Sequence, residues 1–279
     1  MATVMRPKRE TFPAYRRVKA VNWSTLKWLQ VSPKHYQYRL THPPEETPAM
    51  RLGRAIHAAT LEPDVFPLEF VVFDGPRRAG KEWEEFALVN AARTVLKRDE
   101  YETALDVRDA VRAHKAARRL LRFGKPEVSI QWTDPQTRIK AKARLDWLAP
   151  GGVLVDLKST RDIDARTFGR LATSMGYVQQ LAFYRMGLTA NGAKDAPVYV
   201  VAVEADEPHD VAVFQLDDDV LYAGEEMVRE LLAKLKDCRR KRRWPGRYET
   251  VQPLDVPPWF FGSRDDELTI MGLKAKGGS

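Results

Sequence analysis

The stretch Ile139–Thr160, IKAKARLDWLAPGGVLVDLKST, decides the fold. Over its first nine residues, apolar and charged side chains alternate. Ile139, Ala141, Ala143, Leu145 and Trp147 take one face, and Lys140, Lys142, Arg144 and Asp146 take the other. A period of two is that of a β-strand. Ala149, Pro150, Gly151 and Gly152 then form a turn, and VLVDLKS reads as a second strand. On that strand Asp156 and Lys158 share a face, about 6 to 7 Å apart. Upstream, PEVSIQW with the turn DPQTR adds a strand from Glu127, so the three strands are expected to form an antiparallel meander.

Helical periodicity follows over about 165–188, then come the apolar strand PVYVVAVE, a shorter strand near VAVFQL and a helix over about 218–238. Before the meander, short helices are predicted over Ser24–Leu29 and from Ser32, where Pro33 suits the first helical position. Residues 50–61 read as a third helix, and VFPLEFVVFD as extended chain. Longer helices are predicted over about 81–98 and 103–121. The order helices, βββ, α, ββ, α is that of an α/β protein. It divides into an N-terminal helical cap over 1–121, a core over 122–262 and a tail over 263–279, whose KAKGGS end has a disordered composition.

With 279 residues, 44% of them apolar, the chain can bury a sizeable core. A net charge of +8 and a pI near 9.5 favour a polyanionic partner. Cys238 is the only cysteine, which excludes an intrachain disulfide framework and a four-cysteine metal cluster. No apolar run reaches the roughly 18 residues of a membrane span, and MATVMRPKRE lacks the apolar segment of a secretory signal. A soluble, cytoplasmic protein without a membrane partner is the expectation.

The short APGG connection can bring the carboxylates of Asp146 and Asp156 together, where they repel unless a hard cation such as Mg²⁺ sits between them. Lys158 could position or deprotonate a water, or stabilise charge developing on a phosphate. Such a group points to phosphodiester hydrolysis; the plainer reading of the same residues is an exposed hairpin with an Asp–Lys ion pair. Glu127 shares a strand face with Ser129 and Gln131 and could approach the same cluster. Gln180 and Tyr184, four apart on a helix, could bind a DNA backbone or orient a water; otherwise they belong to an amphipathic helix with a half-buried tyrosine. His57 offers an imidazole that could complete an oxygen-rich metal shell, although a lone helical histidine is more often structural. His114 keeps the apolar period of its own helix and is assigned a structural role.

Arg144, on the Asp146 face, is the better candidate for contacting the scissile strand, with Arg77 and Arg78 behind it. These last two lie in GPRRAGKE, which nearly spells a phosphate-binding loop. Glu82, however, stands where a Ser or Thr would be needed and would repel a nucleotide phosphate. The run KLKDCRRKRRWPGR, Lys234–Arg247, could grip phosphates with Trp244 stacking or packing, or be a solvated helix end.

Together SPKHY, LGRAIHAATLEP, PEVSIQW, KARLDW, DLKST, GYVQQLAFY and WPGRY, across residues 22–250, resemble the PD-(D/E)xK nuclease superfamily. Within it they are similar to the RecE-like exodeoxyribonuclease VIII branch, related to RecB-type and lambda-type exonucleases. The resemblance implies a restriction-endonuclease-like core, a central mixed sheet flanked by helices. It implies metal binding by His57, Asp146 and Asp156, a catalytic Lys158, an active-site Glu127 and a QxxxY motif at Gln180 and Tyr184. The first acid falls in RLD rather than PD. The implied cofactor is Mg²⁺, with Mn²⁺ as substitute. The implied activity is 5′-to-3′ exonuclease action on linear double-stranded DNA ends in phage-type recombination, with a single-strand annealing protein as partner and a ring-like homo-oligomer, trimer or tetramer. Two alternatives stand beside it: an endonuclease or single-strand-specific nuclease on the same core, and a non-catalytic DNA-binding accessory protein.

Overall fold

The computed structural model describes residues 8–9, 11–75, 77–193, 196–257 and 260; the tail over 263–279 lies outside them. A two-residue strand, β1 (Lys8–Arg9), precedes α1 (Phe12–Arg17), α2 (Trp23–Leu26), a 3₁₀ turn (Lys27–Gln30), α3 (Pro33–Thr41) and α4 (Pro48–Leu61). Next come α5 (Phe66–Glu69), β2 (Phe70–Val72), α6 (Lys81–Val89), β3 (Thr94–Leu96), α7 (Arg98–Ala113) and α8 (Lys115–Leu120). The second half holds β4 (Lys125–Thr133), β5 (Lys140–Leu148), β6 (Leu154–Thr160), α9 (Ala165–Ser174), α10 (Tyr177–Ala190), β7 (Val198–Glu204), β8 (Val211–Gln215) and α11 (Asp218–Lys241).

One mixed sheet, in the order β1-β4-β5-β6-β7-β8, organises the molecule, with five longer strands and β1 at its edge. The meander β4-β5-β6 is antiparallel, as its turns predict. Strand β7 returns parallel to β6 after the α9–α10 crossover, and β8 pairs antiparallel to it. The expected α/β class, a central mixed sheet flanked by helices, is therefore what the chain adopts. The unbroken apolar run of β7 has a physical cause, because that strand is covered on both faces.

One core joins Leu154, Val198 and Val200 to Leu181 and Phe183 of α10, Leu232 of α11 and, from the N-terminal region, Val21, Trp23, Leu26 and Tyr36. The other joins Val155, Leu157, Val201 and Val203 to Ile56 of α4 and to Val107 and Val111 of α7. Residues before 122 thus supply packing to both faces of the sheet. Side-chain caps start these helices: Thr11, Asn22, Ser32 and Thr47 each accept from the amide three residues on.

Several boundaries differ from the periodicity. The helix predicted over 81–98 stops at Val89 and gives way to β3; VFPLEFVVFD opens with a helical turn before β2. The helix predicted over 103–121 starts at Arg98 and is interrupted at His114, whose extended backbone separates α7 from α8 and whose Nδ1 accepts from the Ala117 amide. His114 is structural, but as a cap rather than a core residue. The helix over 165–188 divides at Gly176, which has φ +74° and approaches Trp23 so closely that a Cβ would lie 3.1 Å from the indole. Among the described residues, no helix is long and apolar enough to cross a membrane.

Candidate active site

The site lies where the meander opens. β5 and β6 pair only through Trp147–Val155 and Leu148–Leu154, and then diverge. The next positions along each strand are Asp146 and Asp156. Instead of continuing the ladder, the Leu157 amide donates to the Asp146 Oδ2 at 3.1 Å, which orients that carboxylate. Farther along β5, the edge that β6 vacates is taken by Val21, whose amide donates to the Lys140 carbonyl at 2.9 Å and whose carbonyl accepts from the Lys142 amide at 2.8 Å.

On the other side of β5, Glu127 stands opposite Asp146 in a register that continues on either side of it. Its φ of +52° is left-handed, a conformation that costs a non-glycine residue on the order of 1–3 kcal/mol and is found disproportionately at functional sites. The expected alternation of β5 also ends here. Leu145 packs in the first core, whereas Trp147, predicted on the same face, packs against the second. The polar pair Glu127 and Asp146 thus sits at the switch between the two faces.

Into this opening α4 brings His57 from one face and α10 brings Gln180 and Tyr184 from the other. His57 Nδ1 lies 3.5 Å from Asp146 Oδ2. One ligand atom from each of His57, Glu127 and Asp146 falls within 4.8 Å of the others. Glu127 is also ion-paired with Arg144. Asp156 is fully buried, with its Oδ2 2.5 Å from Lys158 Nζ, while its Oδ1 has no hydrogen-bond partner. The Lys158 ammonium lies 5.0 Å from the centre of the Tyr177 ring. Gln180 Nε2 donates to the Tyr184 hydroxyl at 2.8 Å.

The electrostatics of the group are unbalanced toward negative charge. Burial, and then the Asp146 carboxylate, push Asp156 up to about 6 against the pull of Lys158. Glu127 is raised by burial and by Asp146, with Arg144 and His57 opposing. Tyr184 is held well above the usual phenol value by burial and by Asp146. Burial alone would lower Lys158, but Asp156 and Asp146 outweigh it, and the ammonium is held above its ordinary value. The two neighbouring carboxylates thus favour the ammonium form of Lys158. The donor set of one imidazole and several carboxylates, an unpartnered buried oxygen on Asp156 and the excess negative charge all fit a hard divalent cation.

Of the anticipated metal set, His57 and Asp146 come together; the third member of the cluster is Glu127, while Asp156 is engaged by Lys158 and lies outside that three-residue group. Arg144 adjoins the cluster through Glu127. Arg77 and Arg78 do not contact the cluster. Arg77 is exposed, and Arg78 is tied to the Val95 carbonyl at 3.2 Å and to the Trp83 ring.

In the Lys234–Arg247 run, three of the eight cations are ion-paired with carboxylates. Arg240 and Lys241 pair with Asp237, Arg243 pairs with Glu249, and Trp244 stacks on Tyr36. Two features had no sequence signal. Lys142 is buried, with its Nζ 2.8 Å from the carbonyls of Tyr15 and Val18. The other is Tyr177 beneath Lys158. Alternation put Lys142 on the polar face of β5, but nothing local marks a lysine that the fold encloses.

Residues 22–256 match the family described as PDDEXK-like domain of unknown function (DUF3799). The chain belongs to that family. Its sheet, with the acids at the opening of the meander, is that of a PDDEXK-like nuclease fold. No curated protein matches the sequence. Among solved structures, the chain is similar to a putative exonuclease from Eubacterium rectale, with a TM-score of 0.64 and 12% identity, covering 92% of this chain and 99% of that one. At that identity the likeness concerns the fold. A second structure, of SSO0001, covers 81% of this chain and 96% of that one at 13% identity, but its TM-score of 0.28 supports no argument.

Proposed function

We propose that this PDDEXK-like protein is a metal-dependent DNA exonuclease of RecE-like type, degrading linear double-stranded DNA 5′-to-3′ in phage-type recombination. The observation that carries the nuclease reading is the convergence of His57, Glu127, Asp146, Asp156 and Lys158, from two faces of the sheet, in one opening. The polarity and the recombination role rest on the motif resemblance. So do a single-strand annealing partner, a ring-like homo-oligomer and Mg²⁺ as the resident ion, with Mn²⁺ as substitute.

His57, Glu127 and Asp146 would hold the cation, with Asp156 beside them. A divalent ion supplies charge neutralisation at the phosphate and acidifies a bound water. The chain's own residues do the rest. The Leu157 amide aims the Asp146 carboxylate. Lys158, held protonated by its acidic neighbours, stabilises the charge that builds on the phosphate as the water oxygen bonds to phosphorus and the ester oxygen departs. Gln180, tethered to Tyr184, would hold the backbone of the strand being cut.

Asp156→Ala and Lys158→Ala proteins, assayed with Mg²⁺ on end-labelled linear duplex, should each lose activity by on the order of 10²-fold or more. Full activity in both variants would refute the assignment. Covalently closed circular DNA should survive incubation; its cleavage would turn the reading to an endonuclease on the same site.

A further inference from the structure

A groove of about 1080 Å³ opens beside the acidic cluster and shares Arg144, Gln180 and Tyr184 with it. Ten of its lining residues are Lys or Arg and none is Asp or Glu, in a chain with 38 acidic residues. Such a wall selects for a polyanion. Its other component is apolar. Phe12 is 54% exposed, and Leu40 and Met175 are also more than half exposed on the groove wall. The Phe12 ring is flanked by the guanidinium groups of Arg16 at 5.9 Å and Arg144 at 5.5 Å, and Arg144 in turn pairs with Glu127 of the cluster.

The helix that carries Phe12 is firmly attached. Lys142 donates from within the protein to the carbonyls of Tyr15 and Val18, and more weakly to Arg16 at 3.4 Å, satisfying the C-terminal end of α1. Thr11 caps its start. One side of the ring is supported by Tyr15, whose ring is stacked 6.4 Å away, yet more than half of Phe12 stays in water at a fixed place, between cations and close to the reacting group. Its chemistry suits an unstacked base, with the backbone phosphates on the surrounding Lys and Arg. A base inside a duplex is already covered on both faces and cannot use it.

We propose that this groove binds an unpaired DNA strand and that Phe12 is the platform on which one of its bases stacks, next to the phosphate to be cut. Only the last clause rests on the nuclease reading.

The test uses the full chain in EDTA, so that nothing is hydrolysed. Fluorescence anisotropy compares a labelled single strand of about 20 nucleotides, spanning one such site, with the blunt duplex of the same sequence. Phe12→Ala should weaken single-strand binding roughly 5- to 100-fold, Phe12→Trp should restore it, and duplex affinity should change by no more than about twofold. Unchanged single-strand affinity in Phe12→Ala would overturn the proposal, as would an equal loss for strand and duplex. A matching thermal melt verifies that the variant is folded. Because no catalysis enters the readout, failure here leaves the nuclease reading standing, and an inactive but strand-binding protein would do the reverse.

Discussion

Replacing Asp156 by asparagine removes a carboxylate that is completely enclosed. The rise of its pKa from 3.8 to about 6 corresponds to roughly 3 kcal/mol of preference for the protonated acid in the folded state. Between these two values the native state binds more protons than the unfolded chain, so this group's contribution to stability falls as pH rises. Its full unfavourable effect is present above about pH 6 and vanishes below about pH 4. The asparagine variant has no such titration. It does leave Lys158 with one partner fewer, but that loss is nearly constant over this range because the ammonium stays charged. Chemical denaturation of both proteins in EDTA, from about pH 4 to pH 8, should therefore show the stability of wild type relative to Asp156→Asn dropping by up to ~3 kcal/mol and levelling above pH 6. A difference independent of pH would refute the claim that Asp156 is buried beside uncompensated negative charge.

Divalent cation should relieve the same imbalance. Mg²⁺ or Mn²⁺ at about 100 times its dissociation constant should stabilise the protein by roughly 2.7 kcal/mol, more at pH 7.5 than near pH 5, where Asp156 retains its proton. Asp146→Asn should abolish the thermal shift, and an unaltered shift would remove Asp146 from the ligand set. Lys142→Met should destabilise the protein by roughly 2–4 kcal/mol, because it strips a charged donor from the enclosed carbonyls of α1. It should also speed tryptic cleavage after Arg16 or Arg17; denaturation and digestion indistinguishable from wild type would show that the anchor is dispensable.

Much of this protein is legible in its local patterns. The alternation over 139–145, the Gly-rich turn and the unbroken apolar run of β7 each follow from backbone geometry and burial within one segment, and the sheet they predict is present. The spacing of Asp156 and Lys158, and of Gln180 and Tyr184, likewise survives folding as the direct contacts 2.5 Å and 2.8 Å long. Patterns failed where one residue overrides a period. Gly176 and His114 break helices that their neighbours would continue, and the left-handed Glu127 stands where β5 changes face. Trp244 reads equally well as a stacking platform for bases or as packing, and only the position of Tyr36, more than two hundred residues earlier, decides for packing.

The sequence by itself determined the class of sheet, the carboxylates and lysine at its opening and the basic character that calls for a polyanion, because each depends on neighbours along one chain segment. Tertiary structure alone decided that Glu127 comes within reach of His57 and Asp146, that Lys142 is a buried anchor and that Phe12 faces a groove without acids. Those outcomes depend on where β5 and β6 part and on the segment around Val21 taking the vacated edge. Packing over the whole sheet, which no local period encodes, settles both.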